Sequence, residues 1–186
     1  MSKLYFRYAA MNAGKSTNLL QVAHNYEERG REVVIYTAGL DDRAGHGIVA
    51  SRLGVERQAR PFSADTSFAE AFASKPGCIL IDEAQFLSPE QVRSLHRLAH
   101  EHRIPVICYG LRTDFRGAGF AGALELLAIA DAIEEMKTVC RCGKKASMVV
   151  RYDAQGERLF EGAQVQVGGN ETYESVCPTR FYTGRC

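Results

Sequence analysis

The stretch Ala10-Met11-Asn12-Ala13-Gly14-Lys15-Ser16-Thr17 carries the residue types that hold a phosphate. A short loop ending in Gly-Lys-Ser turns its backbone N–H groups toward an anion, and a helix starting there adds the positive end of its macrodipole. Lys15 would neutralise the outer phosphates of a nucleoside triphosphate, and the Ser16 hydroxyl would ligate Mg²⁺. One position departs from the P-loop pattern: Ala9 stands five residues before Gly14, where glycine is the rule. Alanine is small enough to let backbone wrap a phosphate, but a positive φ is harder for it to reach. The second signal is Cys78-Ile79-Leu80-Ile81-Asp82-Glu83-Ala84-Gln85, an apolar strand ending in two acids. Asp82 suits Mg²⁺, usually through its water shell. Glu83 is then free to accept a proton from an attacking hydroxyl or water.

These groups act together only if one sheet edge presents them. The phosphate loop sits between an apolar run, Leu4–Ala9, and a helical pattern, Asn18–Ala23. Apolar runs at Glu32–Ala38, Cys78–Ile81 and Ile104–Leu111 have the pattern of parallel strands buried on both faces. Ser88–Arg103 is signposted as a helix, with Ser88 as N-cap, Pro89 at the first position and Gln91 closing a capping box. A further helix is expected from about Ala121 to Ala130. The βαβ rhythm implies an α/β fold, a P-loop parallel sheet with helices on both faces and right-handed crossovers. Its C-terminal edge would bring the acids beside the loop. Leu40–Ser67, rich in Gly, Arg and Asp, reads as a mobile surface segment. Within it, Asp41-Asp42-Arg43 is either a solvated turn or a phosphate clamp. Tyr109–Phe120 mixes arginines, aromatics and glycines: its arginine forks suit phosphate, and Phe115 or Phe120 could line an apolar pocket. An ordinary glycine-rich loop fits the same residues.

The chain's 186 residues fit one full domain and a small appendage. Texture changes near Thr138, dividing the chain into a nucleotide-binding unit, 1–138, and a small cysteine-containing unit, 139–186. The latter begins with Cys140-Arg141-Cys142-Gly143 and continues into a hairpin of Met148–Tyr152 and Arg158–Phe160. Lysine and arginine number 23 against 22 acids, which argues against a broad nucleic-acid surface. No apolar run approaches the roughly 20 residues of a membrane span. The start, Met1-Ser2-Lys3-Leu4, has no signal-peptide pattern, so a cytoplasmic location is expected. Cysteines there are thiols or metal ligands. Cys78 and Cys108, inside apolar strands, are most simply core residues.

Four segments together resemble the type II, cytosolic-type thymidine kinase family, in its enterobacterial-like branch. They are Ala-Met-Asn-Ala-Gly-Lys-Ser-Thr, Ile-Asp-Glu-Ala-Gln-Phe, Tyr-Gly-Leu-Arg-Thr-Asp-Phe and Gly-Gly-Asn-Glu-Thr-Tyr-Glu-Ser-Val-Cys, collinear from Leu4 to Cys177. The resemblance implies transfer of the γ-phosphate of ATP, with Mg²⁺, to the 5′-hydroxyl of thymidine. It also implies a P-loop domain with a zinc-bearing lasso, assembled as a homotetramer. The family's nucleotide loop falls on Ala9, Ala10, Met11, Asn12, Ala13, Gly14, Lys15 and Ser16. Further ATP contacts fall on Asp41, Asp42, Arg43, Asp82, Glu83, Ala84 and Gln85, with Glu83 at the catalytic base. Met11, Phe86, Leu111, Phe115 and Phe120 match the walls of the nucleoside pocket. Gln164, Val165, Gln166, Val167, Gly168 and Tyr173 match the lasso, whose backbone reads the base edge. The competing readings are a P-loop phosphotransferase for another nucleoside and a nucleotide-dependent nucleic-acid-binding module.

By the same resemblance, Cys140, Cys142 and Cys177 fall on zinc-ligand positions. The family's fourth ligand, Cys or His three residues after the third, is replaced here by Arg180, which cannot ligate. Cys186 is the nearest unused thiol, and an extended linker of about 30 Å could reach back. The alternative is a free terminal thiol beside an altered or metal-free site.

Overall fold

Strands buried on both faces carry mostly apolar side chains, so most polar chemistry is pushed to their ends. The computed structural model, which describes residues 3–40, 47–164 and 172–186, is built on this rule. Its larger part runs β1 (Leu4–Tyr8), α1 (Lys15–Glu27), β2 (Val33–Ala38), β3 (Ile48–Ala50), β4 (Glu56–Gln58), β5 (Arg60–Phe62), α2 (Ala69–Ala73), β6 (Cys78–Ile81), a 3₁₀ turn (Ala84–Phe86), α3 (Pro89–His102), β7 (Val106–Gly110), α4 (Ala121–Ile129) and β8 (Ala132–Glu135). Six strands form one parallel sheet in the order β5-β2-β6-β7-β1-β8. Alternation divides its faces. Ile79 and Ile81 pack with Val92, Leu95 and Leu126 of α3 and α4. Cys78 and Leu80 pack with Leu19, Leu20 and Ala23 of α1.

Local signals fall where the sequence places them. Ser88 Oγ accepts from Gln91 N, and the Gln91 side chain accepts in return from Ser88 N. Helix α3 then ends at Arg103, in left-handed geometry. Cys78 and Cys108 are fully buried core thiols, and burial pushes the Cys78 thiol up to about 12. The segment 40–67 departs from its irregular reading. Its described part holds the β3–β4 hairpin, and β5 joins the main sheet beside β2 with Tyr36 opposite Arg60. One buried residue anchors each piece, Val49 on the α1 side and Phe62 on the other. A single apolar residue in a three-residue strand leaves no periodicity to read.

The smaller part adds β9 (Thr138–Val139), β10 (Lys145–Ala146), β11 (Met148–Tyr152), β12 (Arg158–Leu159), β13 (Tyr173–Val176) and α5 (Pro178–Thr183). Strand β11 pairs with β12, as the hairpin pattern predicts, and also with β13. Its core is Cys140, Ala146, Val150, Val176, Cys177 and Phe181. So few apolar side chains bury little surface, and a unit of this kind ordinarily needs a metal or cross-link.

Gly122 lets α4 lie directly on the turn after the 3₁₀ segment: a Cβ there would sit 2.3 Å from the Leu87 carbonyl oxygen. Gly122→Ala should therefore cost about 1–3 kcal/mol, the usual scale of overpacking. A urea midpoint equal to that of the parent would contradict this close approach.

Candidate functional site

The phosphate loop is shaped by two left-handed residues, Asn12 (φ 59°) and Gly14 (φ 81°). Ala9 is not one of them. It is buried, with its N–H donating to the Gly110 carbonyl at 3.2 Å. The glycine missing from the motif is thus missing at a position that takes an ordinary φ, and alanine fits. Gly14 is the N-cap of α1, so the open N–H groups of the first turn face the loop's interior. Lys15 is buried, and its ammonium donates to the Ala10 carbonyl at 3.2 Å across the loop.

The end of β6 comes directly opposite. Ser16 Oγ donates to Asp82 Oδ2 at 2.8 Å, and Asp82 Oδ1 accepts from Glu83 N at 3.0 Å. Asp82 is buried, and that burial, followed by the neighbouring Glu83 charge, pushes its carboxyl upward. The Ser16 hydroxyl and Lys15 pull the other way. A cation beside Asp82 would restore the carboxylate. Glu83 has φ 52° and ψ 39°, a left-handed conformation rare for a side-chain-bearing residue. Such backbone strain tends to persist where it aims a functional group. Here it coincides with a cleft of about 750 Å³ between the loop, Asp82, Glu83, Thr37 and the strand β3.

Gln85, a position the resemblance assigns to the nucleotide contacts, has a buried amide that donates to Glu83 Oε2 and accepts from Leu111 N at 3.0 Å, bracing the acid against the loop after β7. Gly110 makes room for it: a Cβ there would lie 2.7 Å from Gln85 Oε1. The arginines of that loop do not face the cleft. Arg116 donates to the buried Asp114 carboxylate at 2.7 Å, and Arg112 lies over the Tyr8 ring at 5.2 Å. Asp114 also accepts from Arg116 N and Ala118 N, so it shapes the loop.

Of the aromatic candidates, Phe86 and Phe120 meet edge to face at 5.8 Å, and Leu111 packs in the same apolar cluster. Phe115 stands apart, buried beneath the Arg151 guanidinium at 3.9 Å. Arg151 also donates to the Ala163 carbonyl at 2.9 Å, tying Phe115 to the segment that leads into the lasso. Ser175 of β13 donates to the Met11 carbonyl at 2.6 Å, joining the smaller part to the phosphate loop. Arg151 lies in none of the segments that carry the resemblance and Ser175 lies in the fourth with no role assigned to it; only the paired strands reveal their contacts. Gln164 and Tyr173 are half-buried. Asp41, Asp42, Arg43, Val165, Gln166, Val167 and Gly168 lie outside the described residues.

Cys140, Cys142, Cys177 and Cys186 bring their sulfurs within 4.8 Å of one another. The Cys140–Cys186 and Cys142–Cys177 separations are 4.0 and 3.8 Å. Four thiolates around Zn²⁺ at about 2.3 Å have edges of about 3.8 Å, so the donor set fits a tetrahedral zinc. Backbone N–H groups, first that of Cys142, pull the Cys140 thiol down, while hydrogen bonding to Cys142 pushes Cys186 up. Four thiols this close cannot all ionise without a cation to share them. Arg180 takes another task. It pairs with Glu174 at 2.9 Å, as does Arg141. The left-handed Gly184 (φ 75°) closes α5 ahead of Cys186.

The family model described as Thymidine kinase matches residues 2–181. A thymidine kinase of Chromobacterium violaceum is 52% identical over 186 residues, covering 100% of this chain and 98% of its own. One of Albidiferax ferrireducens is 57% identical over 183 residues, covering 98% and 93%. One of Shewanella oneidensis is 52% identical, covering 97% of each chain.

Arg151→Met keeps the side chain's bulk but removes its charged donors. Losing a charged hydrogen bond of this kind should lower stability by about 1.5–3 kcal/mol, measured by urea unfolding. An unchanged midpoint would show that the guanidinium holds nothing.

Proposed function

The chain belongs to the thymidine kinase family, and from that premise we propose how its residues phosphorylate thymidine with ATP. The reaction moves the γ-phosphoryl group of ATP to the 5′-hydroxyl of the nucleoside and releases ADP. The loop from Ala9 to Ser16 holds the phosphates, with its N–H groups and Lys15 balancing the charge that gathers on the transferring oxygens. Ser16 and Asp82 would hold Mg²⁺, which would supply charge neutralisation to the nucleotide's phosphates. Glu83 takes the 5′-hydroxyl proton as the new O–P bond forms, and Gln85 keeps its carboxylate aimed. Ala84 lies on the same turn, and Asp41, Asp42 and Arg43 complete the proposed ATP contacts. The observation that carries this reading is the 2.8 Å contact between Ser16 and Asp82, next to Glu83, in one cleft.

Met11, Phe86, Leu111, Phe115 and Phe120 wall the proposed nucleoside pocket. Gln164 to Gly168 and Tyr173 form the proposed lasso, reading the thymine edge by main-chain groups. A thymine edge offers an N–H donor between two carbonyl acceptors, which a fixed backbone can complement. Residues 1–138 are taken as the kinase unit and 139–186 as the lasso unit. Cys140, Cys142, Cys177 and Cys186 would hold Zn²⁺, whose chemistry is to close the small core and tie down the C-terminus. The near-balanced charge supports a small-molecule role without nucleic acid. No described helix is long and apolar enough to cross a membrane, and we take the enzyme as cytoplasmic. Exposed Ile133 on the edge strand β8 supports self-association, for which a homotetramer is the assembly proposed.

The decisive assay is coupled ADP release with thymidine, deoxyuridine, deoxycytidine and deoxyguanosine. Thymidine should be preferred, and equal rates with all four would reject the base-reading lasso. Glu83→Gln should keep ATP binding and slow turnover by about 100-fold or more, the scale of a lost general base. Turnover within a few-fold of the parent would remove Glu83 from that role. Cys186→Ser should purify with less zinc and release the remainder faster to a chelator. Full occupancy and parental release would assign the fourth ligand elsewhere.

A further inference from the structure

A second group of metal-binding side chains lies at the opposite edge of the main sheet. His96 and His100 are one turn apart on α3, the spacing that puts two side chains on one helix face. Asp131 precedes β8, at the edge where strands begin, whereas the phosphate loop and Glu83 lie where strands end. His100 Nε2 lies 3.1 Å from Asp131 Oδ1 and 3.0 Å from Oδ2, and His96 Nε2 lies 3.6 Å from Oδ1. The three ligand atoms fall within 4.8 Å of one another. The imidazole rings stand edge to face with centroids 4.8 Å apart.

We propose that His96, His100 and Asp131 form a binding site for one divalent transition-metal ion, of the Zn²⁺, Ni²⁺ or Co²⁺ class. Around an ion with bonds of about 2.0–2.1 Å, tetrahedral ligand–ligand edges are about 3.3 Å. The observed nitrogen–oxygen separations of 3.1 and 3.6 Å bracket that value, with Oδ1 common to both. The other carboxylate oxygen is held in place: Oδ2 accepts from Leu4 N at 2.7 Å. Such an outer contact orients a ligating carboxylate as it does in metal centres. Two imidazoles and one carboxylate favour borderline transition metals over Mg²⁺ or Ca²⁺, which prefer all-oxygen sets. The side chains are 33%, 45% and 23% exposed, so an ion can enter and water can complete its coordination. A bound ion would staple α3 to the starts of β1 and β8. It would therefore stabilise the fold in proportion to its occupancy.

The test is titration of untagged, zinc-loaded protein with Ni²⁺ alone, followed by calorimetry and thermal unfolding, with zinc content checked throughout. The parent should take up one equivalent of Ni²⁺ without losing zinc, and its Tm should rise. His96→Ala and Asp131→Asn should each weaken that binding by about tenfold or more and abolish the Tm rise. His24→Ala removes an exposed helical histidine from α1 and should change neither. Thymidine phosphorylation without Ni²⁺ should be unaffected by His96→Ala, because the residue lies away from the cleft. The proposal is overturned if the parent binds no Ni²⁺ beyond what displaces zinc. It is equally overturned if His96→Ala binds Ni²⁺ as the parent does, which would leave only a hydrogen-bonded Asp–His group.

Discussion

The contact between Ser16 and Asp82 joins the first turn of α1 to the end of the innermost run of sheet, and the cleft is organised around it. A carboxylate that is only 4% exposed is costly to keep charged. Burial and Glu83 both oppose its ionisation, while Ser16, Lys15 and the Glu83 N–H favour it. Asp82 thus sits where a cation in the cleft would favour its charged form. Glu83, one residue on, leaves the strand in a left-handed conformation and is half-exposed in the same cleft. Adjacent acids therefore receive opposite environments, one turned inward to the loop and one toward the open cleft. That division follows from where β6 stops.

The smaller part depends on the nucleotide loop and on the cysteines together. Its apolar core is too slight to hold three short sheet pairings unaided, and four of its thiols converge at tetrahedral spacing. Arg180 cannot ligate, and its charge is absorbed by Glu174, which also accepts from Arg141 and from the Tyr152 hydroxyl. The chain then turns at Gly184 and returns its last residue to the cluster. Cys186, past the end of α5, thereby brings a fourth sulfur to the three thiols of Cys140, Cys142 and Cys177. Through Ser175 and Arg151 the same unit grips Met11 and Phe115, so order at the cysteines and order at the phosphate loop are mechanically connected.

What the sequence disclosed and what it withheld differ in range. The P-loop, the strand ending in Asp82-Glu83 and the capped helix α3 each carry their signal within about a dozen residues, and each is found where it was read. Gln85 bracing Glu83, Arg151 stacked on Phe115 and Ser175 on Met11 all join residues far apart in the chain, except the first, which is hidden because a buried glutamine looks like any polar residue after a strand. Strands β5 and β8 were missed for another reason. Arg60–Phe62 and Ala132–Glu135 lie at sheet edges, where one pairing partner suffices and polar residues are tolerated. The resemblance to a family could not foresee that position 9 uses a φ alanine accepts.

A parallel sheet also explains why polar groups gather at both of its edges. Each strand that enters the sheet leaves backbone donors unpaired at its start, and each that leaves it exposes acceptors and turns. At the exit edge the donors of loop and helix α1 are left open toward the cleft. At the entry edge the first N–H of β1 is spent on Asp131, whose charge in turn draws His96 and His100 across from α3. The pull of both histidines and of Leu4 N on Asp131 holds its carboxyl below the ordinary range despite partial burial. That carboxylate needs an N–H from one strand and leaves an oxygen toward two imidazoles. The geometry that caps a strand is therefore the same geometry that presents three donors to a metal ion. No extra structure is required for the second role beyond the helix register that places residues 96 and 100 on one face.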